Sequence, residues 1–263
     1  MPSPWIIAAV LVLVATHATT MPGAEDQKPA TSPAEEYRRL VDDYEAGADP
    51  REVAQQLLAL AKNHAKTPVV LDALVWVLSK RRSHPEGLRA LELIERDHLH
   101  SEKLDSALAP ISRVPSTAVE RVLRAVMTMN PQRHVRAQAC LQLANVFDQQ
   151  ASVTEQLANQ PELTERVLSY YGKSYGEYLK SLERKSLERK REETYELMRK
   201  SFADVPAGDE TMGQLAEKAL FRIRRLSIGR QAPEIEGEDI DGKPFNLSDY
   251  RGKVVVLSFW GHW

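Results

Sequence analysis

The sequence predicts a mainly α chain: a helical array, α-α repeat-like, that gives way near the C-terminus to a β-hairpin and one β-branched strand. Three observations carry this. Prolines recur at Pro33, Pro50, Pro68, Pro85, Pro115 and Pro131, each opening a stretch of helical periodicity. Proline suits a first helical turn because its missing N–H would have no intrahelical partner there. A charged tandem, Ser181-Leu182-Glu183-Arg184-Lys185 followed by Ser186-Leu187-Glu188-Arg189-Lys190, carries helical composition further. Near the end, Asp241-Gly242 marks a tight turn and Val254 to Phe259 is a short apolar run of strand type.

The N-terminus comes first. Trp5 to Val14 is uncharged and apolar, as long as a signal-peptide core and short of the ~20 residues that a membrane span needs. Small residues follow, with cleavage after Ala18 or Ala24, so residues 1–24 are read as a signal peptide that exports the chain to the periplasm or another extracytoplasmic space. No Lys or Arg precedes the run; an uncleaved membrane anchor or a buried N-terminal helix are the other readings. Residues 25–32, polar and Pro-containing, read as a flexible leader. Cys140 is the single cysteine, which excludes an intramolecular disulfide and suits an oxidising compartment.

Residues 33–203 form the helical domain. Helix starts about 14 to 18 residues apart place two helices in roughly 34 residues, the period of helix-turn-helix solenoids. Ser101 opens a further segment between Pro85 and Pro115. Val53, Leu57, Leu58, Leu60 and Ala61 line one helix, and Leu88, Leu91, Leu93 and Ile94 another. Val69 to Leu78 is apolar nearly all round, as the middle of a stack requires, and Val119, Val122, Leu123 and Val126 follow. The aromatic-glycine signature of tetratricopeptide repeats is absent, so an irregular helical array and a compact all-α bundle both stay open. Cys140, Leu143, Ala144 and Phe147 share a face, which makes Cys140 a small core residue rather than a reactive thiol.

Tyr170 to Lys200 reads as one long solvated helix with mixed charges, Arg189 facing Glu193 and Lys185 facing Glu188. The tandem's period of five keeps Leu182 and Leu187 off a common heptad stripe, although a partner-binding coiled coil is an alternative. Residues 204–227 hold a linker at Asp204–Gly208 and an amphipathic helix from Glu210 to Leu226 using Leu215, Ala219, Leu220, Ile223 and Leu226.

From Ile228 the character changes. Ile228-Gly229-Arg230-Gln231-Ala232-Pro233 opens the segment. A hairpin is expected between Glu234–Ile240 and Phe245–Leu247 about Asp241-Gly242. Gly252-Lys253 ends a turn, Val254–Phe259 is a buried-type strand, and Trp260-Gly261-His262-Trp263 follows. These elements, in this order, resemble the N-terminal part of the thioredoxin-like superfamily, the TlpA-like thiol-disulfide oxidoreductases and the AhpC/TSA (redoxin) group. The resemblance implies residues 228–263 are the start of an incomplete thioredoxin-like α/β domain: its N-terminal β-hairpin and first core strand. It also implies that Trp260, Gly261, His262 and Trp263 flank the active site, with the first cysteine of a C-x-x-C pair expected directly after Trp263. In that family the nucleophile sits at a helix N-terminus, where free N–H groups and the helix dipole stabilise a thiolate. No catalytic cysteine pair lies within the 263 residues, so a truncated or fragmentary coding sequence is expected, and an uncovered Val254–Phe259 strand would be an aggregation site.

Composition excludes other classes. Hydrophobic residues make up 43%, charged residues 27%, and the net charge is -2, an ordinary globular balance with no sign of nucleic-acid binding. No P-loop, G-x-G-x-x-G, G-x-S-x-G or H-E-x-x-H motif occurs, and no cofactor is expected. Asp97-His98-Leu99-His100 offers metal-type side chains; in a helix the two imidazoles point apart, in an extended loop they could share a metal, and with no other clear ligand nearby in sequence no metal is expected. The functional expectation is thiol-disulfide oxidoreductase chemistry on protein thiol or disulfide clients, the helical part docking a client or orienting the redox module. An AhpC/TSA-type antioxidant peroxidase and a non-catalytic helical scaffold are the alternatives.

Overall fold

Proline sets several of the helix starts over residues 31–259, the part of the chain that the computed structural model describes. The expected signal peptide, most of the leader and Trp260–Trp263 lie outside the described residues. Helix α1 (Pro33–Glu45), α2 (Pro50–Asn63) and α4 (Pro85–Asp97) begin on their prolines, and Pro68 precedes α3 (Val69–Arg81). The Asp49 carboxylate caps α2 by accepting from the Arg51 N–H at 2.7 Å. Ser101 does not open a helix: α5 runs Asp105–Ser112, and the Ser101 hydroxyl oxygen accepts from the Lys103 N–H within the preceding turn. Helix α6 (Ala118–Met129) and α7 (Arg133–Asn159) follow two to three residues after Pro115 and Pro131.

Among the described residues there are eleven α-helices, packed largely in chain order. Helix α3, apolar on most of its surface, sits between α2 and α4 and also touches α1 and α5. Its Leu71, Leu74, Trp76 and Leu78 are buried, and Tyr44 of α1 meets Trp76 edge-on with ring centroids 5.1 Å apart. Leu91, Leu93 and Ile94 of α4 face inward as expected, whereas Leu88 is exposed and Gly87 and Ala90 take the inward positions.

Helix α7 organises the rest. It packs against α5 and α6 on one side and against α10 (Arg184–Phe202) on the other. Its apolar residues therefore divide between two cores instead of sharing one face. Val135, Ala139, Leu143 and Phe147 join the larger core built by α1 to α6. Ala137, Cys140 and Ala144 join a smaller one with Tyr195, Met198 and Phe202 of α10 and Met212, Ala216 and Leu220 of α11 (Met212–Phe221).

The single solvated helix expected from Tyr170 to Lys200 is three helices: α8 (Thr164–Tyr171), α9 (Lys173–Ser181) and α10. Gly172 at φ 81° separates the first two, and extended backbone at Leu182 and Glu183 separates α9 from α10. That second break resolves the period-five tandem. On one continuous helix Leu182 and Leu187 would diverge; with the break, Leu187 is buried in the larger core and Leu182 packs against it. Helix α10 consequently buries a full stripe, and Glu188 pairs with Arg184 at 2.8 Å, while Arg189 and Glu193 stand 4.0 Å apart on the surface.

The linker after α10 is a short ribbon, β1 (Pro206–Ala207) against β2 (Glu210–Thr211). Thr211 and Gln214 then form a capping box that starts α11. The expected helix to Leu226 ends differently: α11 stops at Phe221, Arg222–Leu226 is a π-turn, and Leu226 is exposed. A second hairpin, β3 (Glu236–Glu238) against β4 (Pro244–Asn246), occupies the C-terminal segment.

Candidate redox segment and its attachment

Local chemistry builds the C-terminal hairpin. Glu236 pairs with Asn246, Gly237 with Phe245 and Glu238 with Pro244. At the turn the Asp239 carboxylate accepts from the N–H groups of Asp241 and Lys243, both at 2.9 Å. Gly242 takes φ 75°, a left-handed conformation that glycine adopts without a Cβ penalty. The Phe245 ring lies across Gly237, where a Cβ would meet ring atoms at 3.1 Å. Past β4 the chain turns once in a 3-10 helix, Leu247–Tyr250, closed by a reciprocal Asn246–Asp249 capping box. Glu234 fastens this turn back to the strand entry by accepting from the Ser248 N–H at 2.9 Å; hydrogen bonding to Ser248 holds its carboxyl below the usual value.

The apolar run behaves otherwise. Val254 to Phe259 is in no strand, and Val254, Val256 and Phe259 are 98%, 88% and 85% exposed. A strand needs a neighbour to complete its hydrogen bonds, and none of the described residues is paired with it. The active-site-flanking residues, Trp260, Gly261, His262 and Trp263, lie outside the described residues.

Cys140 is fully buried in the smaller core. Its thiol stands 3.7 Å from the Thr194 carbonyl oxygen, and burial pushes its pKa up to about 12. A nucleophile needs the opposite environment. Asp97, His98 and His100 do not converge. Asp97 pairs with Arg96, and the imidazole Nδ1 of His100 is 2.9 Å from the Met129 carbonyl oxygen. His98 is half-buried with its pKa lowered by burial. Among the described residues no group of three or more His, Cys, Asp or Glu is placed to hold a metal, and no helix is long and apolar enough to cross a membrane.

Ion pairs between distant parts of the sequence fix the turn that precedes the C-terminal segment to the array. Arg224, in the π-turn just before the segment, reaches Glu192 at 2.6 Å and Glu196 at 2.7 Å on α10. Arg199 also pairs with Glu196 at 2.9 Å. Hydrogen bonds to Arg199 and Arg224 keep the Glu196 carboxyl low. Beneath α10, Asp148 of α7 accepts from Arg191 and from the Tyr195 hydroxyl, both at 2.6 Å. Sequence spacing carries no signal for the pairs made by Arg224 and by Asp148, because the partners are 28 to 47 residues apart.

Comparison with known proteins places the likeness in this C-terminal segment. The AhpC/TSA family matches residues 228–263. The thiol-disulfide oxidoreductase ResA of Bacillus thuringiensis subsp. konkukian is 44% identical over 39 residues, 15% of this chain and 22% of that protein. ResA of Geobacillus kaustophilus is 47% identical over 38 residues, 14% and 22% of the two chains, and ResA of Bacillus subtilis is 42% identical over 53 residues, 20% and 30%. The chain thus spans under a third of the length of the curated relatives it matches. No solved structure gives a significant match.

Proposed function

We propose that the chain serves thiol-disulfide exchange of the ResA/redoxin type. Residues 228–263 would be the leading edge of the redox module, and the helical array would dock a client or orient that module. The observation that carries this reading is the 44% identity to a thiol-disulfide oxidoreductase across the C-terminal 39-residue match. The locally closed hairpin and the unpaired apolar run after it support the same reading, since both suit an edge onto which further strands add. In such exchange a thiolate attacks a client disulfide and expels one client sulfur as thiolate. A second cysteine then attacks the mixed disulfide, leaving the client reduced and the enzyme pair oxidised.

The 263 residues contain no Cys-x-x-Cys pair, and buried Cys140 does not fit the role of nucleophile, so these residues alone are expected to reduce no insulin disulfide. The test is to read the gene past codon 263 and assay the product that includes what it encodes. A Cys-x-x-Cys directly after Trp263 and insulin reduction by that product are expected. A confirmed stop codon, with no such pair in any frame, would overturn the reading in favour of a helical scaffold.

A peroxidase reading rests on the family match itself, which is to AhpC/TSA. It requires a lone peroxidatic cysteine in that product and peroxide consumption without insulin reduction. Export is part of the proposal, carried by the apolar run from Trp5 to Val14. Cell fractionation should find the protein outside the cytoplasm and shortened at Ala18 or Ala24.

A further inference from the structure

A cleft of about 760 Å³ opens between the C-terminal part of α7 and the 3-10 turn Pro161–Leu163 with the helix α8 that follows it. Packing explains why it is there. Past α7 the chain returns to that helix chiefly through the 3-10 turn and α9, and α8 between them stands off. Val153, Leu163 and Val167 contribute apolar surface to the cleft, and Tyr170 and Tyr171 contribute aromatic rings. Tyr170 is 64% exposed.

The rings are held in place by the protein itself. Tyr170 meets Tyr171 edge-on with centroids 4.8 Å apart, and Tyr171 lies 6.0 Å from Tyr175 of α9. From α7, the Gln149 side-chain amide donates to the Tyr171 hydroxyl at 3.1 Å and that of Gln150 to the Tyr175 hydroxyl at 3.2 Å. Rings fixed in this way give a ligand aromatic surface at little cost in ordering.

Charge gives the cleft its sign. Arg166 is the only charged residue of the lining, and its guanidinium pairs with no carboxylate among the described residues. By contrast, Arg184 is held by Glu188 and Arg191 by Asp148. Glu162 and Glu165, close to Arg166 in sequence, are exposed and lie outside the lining. A free guanidinium presents a planar fork that matches a carboxylate. Gln156 and Ser169 add uncharged hydrogen-bonding groups.

We propose that this cleft binds a small aromatic carboxylate, its carboxylate on Arg166 and its rings against Tyr170 and Tyr171. The volume falls in the range of small-molecule sites, about 300–1,000 Å³, and admits more than one ring. The site is independent of the thiol-disulfide reading and stands whether or not that reading holds.

The probes are diphenylacetate and its neutral primary amide, diphenylacetamide, titrated with the full 263-residue protein at low ionic strength and followed by ligand-observed NMR. The acid should bind saturably with a Kd on the order of 1 mM or tighter, and the amide at least about fivefold more weakly. Arg166→Gln should bring the acid down to the affinity of the amide. Tyr170→Ala should weaken both ligands at least about threefold. Both variants change exposed positions, so helicity should stay as it is. Arg38→Gln, at an exposed and unpaired arginine of α1, should alter neither affinity. The proposal is overturned by no saturable binding of the acid, or by equal binding of acid and amide to the unsubstituted protein. It is equally overturned by a preference for the acid that survives Arg166→Gln, by affinities that Tyr170→Ala leaves untouched, or by an equal loss in Arg38→Gln.

Discussion

Helix α7 and the run from Val254 to Phe259 both carry apolar side chains that need burial, and the protein treats them oppositely. Every inward residue of α7 finds a partner, because the helix has α5 and α6 on one side and α10 on the other. Val254 to Phe259 has no strand beside it and lies in solvent. Apolar composition states a requirement for burial, while the neighbours that meet it come from elsewhere in the chain. The array thus holds its stability in long-range contacts. The described C-terminal segment holds together chiefly through its own hydrogen bonds, two to fourteen residues apart in sequence, at Asp239, Asn246 and Glu234.

The sharpest test of this contrast is chemical. With its thiol pushed from 9.0 to about 12, native Cys140 should react with a disulfide reagent at pH 8 at least about a thousandfold more slowly than the urea-unfolded chain, from thiolate fraction alone. Comparable rates would mean that the smaller core is open. Next in size is Phe147→Ala, which empties the larger core at a fully buried ring flanked by Arg124 and Lys190. It should cost about 3–5 kcal/mol in urea unfolding followed by helicity. A cost below about 1 kcal/mol would place the ring in a looser environment than described.

Asp148→Ala removes the shared acceptor of Arg191 and the Tyr195 hydroxyl and should destabilise by about 1–3 kcal/mol. The double variant with Tyr195→Phe should cost less than the sum of the single changes, because the two groups share one bond. A smaller, pH-dependent effect is expected at Asp204. Its hydrogen bonds to Arg133 lower its pKa from 3.8 to about 2. A depressed carboxyl stabilises the fold above the unfolded value, and that contribution fades as pH falls toward the folded value. Asp204→Asn should therefore unfold at slightly lower temperature than the unsubstituted protein at pH 6, with the difference shrinking below about pH 4 and mostly lost by about pH 2. A constant gap across that range would assign the effect to something other than the ion pair. At the far end, Val256→Ala should change stability by no more than about 0.5 kcal/mol, since the side chain touches solvent. A larger loss would show that the run is covered.

The legible parts of this protein are those encoded within a few residues. Proline at Pro33, Pro50 and Pro85 fixes a backbone angle and lacks a donor, so the helix starts could be read directly. Asp241-Gly242 specifies its turn through one side chain and one left-handed glycine, and the hairpin forms where that pair puts it. The order of short motifs from Ile228 onward carried the likeness to the AhpC/TSA family for the same reason. Burial of Cys140 was legible from its place amid a helical apolar pattern.

Other features depended on contacts that no local pattern contains. Leu143 and Cys140 sit one turn apart on α7 and enter different cores, because α6 and α10 approach from different sides. The tandem from Ser181 to Lys190 looks like continuous helix to any rule of propensity or charge spacing. It breaks at Leu182–Glu183 because both leucines reach one core only if the helix does not continue through them. The pairing of Arg224 with Glu192 and Glu196 exists because α10 packs beside the turn that precedes the C-terminal segment. Sequence alone determined the helix starts at Pro33, Pro50 and Pro85 and the turn at Asp241-Gly242, since dihedral preference and capping act over one or two turns of chain. Only the tertiary structure decided which faces meet, because that choice is made by residues tens of positions apart competing to leave water together.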